Sequence, residues 1–154
     1  MIPLHIQQLL DERGYSQRTD DKEAIRRTLV ALGIDPASEL GEFYLAYDPS
    51  LLQSDTSYEQ LLDVVIPVVD GAAPVEADPS ETPVGMATAF ARDVWEVPER
   101  MICLTTTEGE GAFLYDLSSG AIYDFSLSEQ AELCNGSLSP RWNSFFEFIA
   151  WYLS

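Results

Sequence analysis

Hydrophobic positions recur at helical spacing along most of this chain. In one stretch, Pro98 to Ser126, they fall instead into short runs separated by turn residues. That stretch predicts a small antiparallel meander. Met101 to Thr106 is its first strand and Glu108-Gly109-Glu110-Gly111 its first turn. Ala112 to Leu117 is the second strand, Ser118-Ser119-Gly120 the next turn, and Ala121 to Phe125 the third strand. Phe113 and Tyr115 alternate with Ala112 and Leu114, so both faces of the sheet are apolar and both need cover.

The flanking segments predict the cover. Ile6, Leu9 and Leu10 fall at helical spacing in Leu4 to Arg13, with Gly14 as the stop. Asp20 and Glu23 open a second helix, whose face is Ala24, Ile25, Thr28, Leu29 and Leu32; Gly33 ends it. Asp35-Pro36 reads as the start of a third helix, with Leu40, Phe43, Tyr44 and Tyr47 on one stripe and Asp48-Pro49 as the end. Aromatic stripes of this kind are core. Ser50 to Ser57 is a polar loop. Tyr58 to Val69 suits a helical turn at first and then an edge strand broken by Pro67. Asp70 to Glu81 has no period and reads as a loop. Thr82-Pro83 caps a further helix, with Met86, Ala89, Phe90 and Val94 on one side and an end near Trp95. Leu127 to Leu138 is a polar connection. Ser139-Pro140 caps the last helix, along which Trp142, Phe145, Phe146, Ile149 and Leu153 recur as core positions.

The order of elements gives an α+β fold. A mostly antiparallel or mixed sheet is packed by N-terminal helices and a C-terminal helix. The chain has 154 residues, 46% of them hydrophobic, which suits one domain over 1–154 with 1–18 as an N-terminal extension. A chain of this size buries about 68–70% of its unfolded surface and needs no disulfide or metal to hold it.

Charge changes the picture most. Eight Lys and Arg face 26 Asp and Glu, a formal net charge of −18. That field repels nucleic acid and anionic lipid, and it steers basic proteins inward. The start, MIPLHIQQLLDERG, has no basic leader followed by an apolar run, and Leu61 to Val69 is too short and too interrupted to span a bilayer. The expected location is the cytoplasm. Cys103 and Cys134 lie far apart without a CxxC motif and read as two buried thiols.

Candidate chemistry adds little. His5 is the one histidine, near the start of the first helix. Glu108 and Glu110 could pair as acid and base, but on a hairpin tip they are more simply solvated charges. Glu-Gly-Glu-Gly has neither the spacing nor the charge of a phosphate cradle, and no segment follows the EF-hand register. No catalytic, metal or cofactor residue is expected, and the class left is a binding protein. The acids placed to meet a basic partner are the hairpin tip, Glu108 and Glu110, and the loop acids Asp48, Asp55, Asp70 and Glu76.

Several motifs, in order, resemble the SUKH superfamily of Smi/Knr-like proteins. They are Glu96-Val97-Pro98-Glu99-Arg100 with Ile102-Cys103-Leu104, Glu108 to Gly111 with Phe113-Leu114-Tyr115-Asp116, Gly120-Ala121-Ile122-Tyr123, and Ser144 to Ile149. Leu40 to Tyr47 sits where that family carries an early helix. The similarity runs from about Leu32 to the C-terminus, and the segment before Arg18 lies outside it. The resemblance implies an α+β immunity protein that binds and neutralises a cognate polymorphic toxin, a nuclease or a deaminase. The alternative it implies is a regulatory or scaffold domain without a toxin partner.

Overall fold

Each apolar face of the central strands meets its own layer of helices. The computed structural model describes residues 1–17, 22–48, 82–104 and 110–153. Strands β3 (Met101–Cys103), β4 (Gly111–Asp116) and β5 (Ile122–Ser126) form an antiparallel sheet in the order β3-β4-β5. A separate two-stranded ribbon pairs β1 (Ser16–Gln17) with β2 (Tyr47–Asp48). Around them lie helices α1 (Leu4–Glu12), α2 (Lys22–Ala31), α3 (Glu39–Ala46), α4 (Pro83–Val94), α5 (Gln130–Asn135) and α6 (Phe145–Leu153). The fold is α+β, as the pattern predicts.

Register explains the two layers. Tyr115 opposes both Ile102 and Ile122, and Leu114 opposes Cys103 and Tyr123. Successive side chains point to opposite faces. One face carries Ile102, Leu104, Phe113, Tyr115 and Ile122 into the larger core with α1, α2, α3 and α6. The other carries Met101, Cys103, Leu114 and Phe125 against Ala87, Ala91 and Trp95 of the α4 segment and Leu133 of α5.

The helices form for readable reasons. In α2 the buried residues are Ala24, Ile25, Thr28 and Leu29, the predicted face, and Gly33 takes a left-handed φ of 83° that ends the segment. Thr82 caps α4 by accepting from the Gly85 N–H at 3.0 Å, with Pro83 in the first turn. Leu40, Phe43, Tyr44 and Tyr47 are all buried, so the aromatic stripe is core.

Three expectations are corrected. Asp35-Pro36 does not start α3. The Asp35 carboxylate accepts from the Ala37 N–H at 2.9 Å and closes a turn, and Ser38 caps the helix instead, accepting from Gly41 N–H at 3.1 Å. Ser139-Pro140 does not start α6. The chain first runs beside β5, where Trp142 bridges Ile122, and Ser144 then accepts from the Glu147 N–H at 3.2 Å. Trp142 is thus buried beside the sheet rather than along the helix, while Phe148 is a wholly buried helix position that the stripe omitted. Finally, the polar connection from Leu127 contains a 3-10 turn (Leu127–Glu129) and α5, anchored through Leu133.

Candidate protein-binding surface

Glu110 is held by a backbone contact just before β4. Glu110 is exposed, and its carbonyl accepts from the Leu127 N–H at 2.7 Å. A Cβ on the next residue, Gly111, would come within 2.6 Å of the Phe125 carbonyl, so this close strand approach requires glycine. Asp48 lies on the β1–β2 ribbon, opposite Ser16, a separate sheet from the one whose strand β4 follows Glu110. Glu108, Asp55, Asp70 and Glu76 lie outside the described residues.

Other acids share the surface. Glu12, Asp35, Asp93, Glu96, Glu99 and Glu132 are exposed. Much of the positive charge, by contrast, is engaged within the molecule. Arg26 pairs with Glu23 at 3.3 Å, Arg100 with Asp116 at 3.3 Å and Arg141 with Asp124 at 2.6 Å. Arg13 donates to the Leu153 carbonyl at 3.1 Å, and Arg92 to the carbonyls of Glu99 and Met101. Each of these ion pairs also takes up an acid, so the net field stays as acidic as the composition makes it.

One acid is structural. Asp116 is buried and accepts from the Ser118 N–H at 2.8 Å and the Ser118 hydroxyl at 2.6 Å. Burial works against its charge, but these bonds and the Arg100 guanidinium outweigh it and hold the carboxyl below its usual range. Glu39 shows the opposite balance: partial burial raises its carboxyl above the usual range, against bonds from the Phe146 backbone and Ser144.

Two apolar features are exposed on the surface. Met86, Ala89, Phe90 and Val94 line the outer side of α4, while Val84, Ala87, Thr88 and Ala91 face the sheet. The side read from the sequence is the solvent side. The readable signal was residue size, because a helix lying close on a strand needs small residues beneath it. The second feature surrounds Trp151, which is 43% exposed. The Arg141 guanidinium lies 4.6 Å from the ring centroids of both Trp142 and Trp151 while Asp124 holds it.

Reactive groups are dispersed. His5 is exposed on α1. Cys103 is buried, but Cys134 is exposed on α5, which corrects the expectation of two buried thiols: that short helix turns only Leu133 inward. Among the described residues no three His, Cys, Asp or Glu cluster to hold a metal ion, and no helix is long and apolar enough to cross a membrane. A cleft of about 430 Å³ beside α1 and the end of α3 is lined by Gln7, Gln17, Lys22 and Glu42 among others. Glu42 there pairs with the Met1 ammonium at 2.7 Å, and Lys22 is the other charge on the lining. No family model, curated protein or solved structure matches the chain.

Proposed function

We propose that this chain is an immunity protein of the Smi/Knr-like kind that binds and neutralises a cognate toxin in the cytoplasm. The toxin is a basic nuclease or deaminase, and acids including Glu110 and Asp48 meet the groove that otherwise grips nucleic acid. The observation that supports this reading most is the one-sided field. The net charge is −18, and Glu12, Asp35, Asp93, Glu96, Glu99, Glu110 and Glu132 are all exposed. Such a surface speeds encounter with a cationic partner and disfavours nucleic acid. The ordered motifs from Leu32 onward support the same reading.

The test is co-expression with the toxin encoded beside this chain. Host growth is rescued, and the purified pair binds with an association rate that falls at least about tenfold between roughly 0.05 M and 0.5 M salt. Rescue without salt dependence would remove the electrostatic part of the mechanism. A chain that rescues no adjacent toxin is not an immunity protein.

A further inference from the structure

We propose that the outer ridge of α4, formed by Met86, Phe90 and Val94, is a docking surface for a basic amphipathic helix of a protein partner. The proposal rests on the partner-binding reading above and gives that partner a second contact, separate from the acidic hairpin tip. The three side chains are 60%, 39% and 59% exposed. They stand four residues apart, so they form one line about 12 Å long over two helical turns. An amphipathic partner helix presents its anchors at the same spacing.

The ridge is rigid. Beneath it Val84, Ala87 and Ala91 are buried, and the Thr88 hydroxyl accepts from the Cys103 N–H of β3 at 3.0 Å. Phe90 packs edge-on against the buried Trp95 at 5.4 Å between centroids, so its ring is held in place before any partner arrives. Anchors fixed in advance lose little entropy on binding.

Charge selects the occupant. Asp93 stands beside Val94 on the helix, and Glu96 and Glu99 follow in the next turn of chain; all three are exposed. The nearest base, Arg92, is two residues beyond Phe90, about 200° round the helix at 100° per residue. It is engaged by the Glu99 and Met101 carbonyls. An apolar line with an acidic border fits a helix with an apolar face flanked by Lys and Arg. A second copy of this chain would bring the same acids against themselves at a net charge of −18 each. Anionic lipid is repelled by the same field.

The probe is a synthetic peptide of about 15 residues with leucines on one helical face and lysines elsewhere. Its control is the same composition with the leucines scattered. Both are titrated into the whole chain labelled with 15N. The leucine-faced peptide shifts amide resonances centred on α4, and Phe90→Asp and Met86→Asp each weaken it at least about tenfold. Both sites are exposed, so thermal melting confirms that the variants stay folded, and Met86 is free of the Trp95 contact. The proposal is overturned if the scattered peptide binds as well, if no saturable binding occurs, or if either variant binds within about twofold of wild type. It is also overturned if the chain dimerises through α4 in sedimentation. The peptide contains no toxin sequence, so the two readings fail separately. An unaffected peptide affinity removes the ridge alone, whereas intact peptide binding without rescue from the toxin removes immunity alone.

Discussion

Replacing Asp116 tests whether a charge holds the hairpin together. Its carboxylate collects the Ser118 N–H at 2.8 Å and hydroxyl at 2.6 Å, with Arg100 at 3.3 Å. Hydrogen bonds to a charged group contribute about 1.5–3 kcal/mol each when desolvated. Ser118 is exposed, so water replaces part of that loss, and the Arg100 side chain is 40% exposed, which limits the ion pair to about 0–1 kcal/mol. Asp116→Ala should therefore cost about 2 kcal/mol at neutral pH, a fall of roughly 4–8 °C in Tm for a domain this size. The pH dependence follows from the sign of the shift. The folded carboxyl titrates below its unfolded value of about 3.9, so its contribution is complete above that value and disappears as pH falls through the folded pKa. Urea unfolding followed by tryptophan fluorescence at several pH values gives the comparison. The gap between wild type and Asp116→Asn should be constant from about pH 7 to about pH 5 and should close as pH falls below the unfolded value and through the folded pKa. A gap under about 0.5 kcal/mol at pH 7, or one unchanged in acid, refutes the ionised-carboxylate account.

Two further changes probe the same scaffold. Gly111→Ala places a Cβ 2.6 Å from the Phe125 carbonyl, a backbone atom that cannot rotate away, and should lower stability by about 1–3 kcal/mol in urea titration; a neutral result would mean the β4–β5 approach is looser than described. With Ellman's reagent the native chain should react quickly at Cys134 alone and at Cys103 only on unfolding, so Cys134→Ser should remove the fast phase; a fast phase that survives that change assigns it to Cys103.

The three strands and the Ser118-Ser119-Gly120 turn were legible because alternation and turn residues coincide there, and Thr82-Pro83 because cap and proline agree with the apolar period behind them. Asp35-Pro36 has the same cap residues, but its carboxylate closes a turn three residues before the real cap. At Ser139-Pro140 the chain had still to pass along β5, a tertiary contact with no local signature. Which side of α4 lies on the sheet was not read from the sequence, for a physical reason. Both sides of that helix are apolar, and size rather than hydrophobicity decides which lies on the sheet. Of the acids expected to face a partner, Glu110 is exposed just before β4, and Glu108, Asp55, Asp70 and Glu76 lie outside the described residues. The Trp151–Arg141 stack was not legible, since it joins residues whose neighbourhood is set by the Ile122–Trp142 bridge.

That bridge also bears on the edges of the sheet. A three-stranded sheet has two edges, and an open edge invites an added strand. At β5, Ile122 exchanges backbone bonds with Trp142 at 2.9 and 3.1 Å. The next outward position, Asp124, carries a charge held by Arg141. At β3, the Met101 N–H donates to the Pro98 carbonyl at 3.0 Å, Arg92 caps the Met101 carbonyl at 3.2 Å, and Thr88 accepts from the Cys103 N–H at 3.0 Å. Helix α4 thus closes one edge with its inner side and leaves its apolar ridge on the other. With these backbone groups occupied, strand addition is closed at Ile122, Met101 and Cys103.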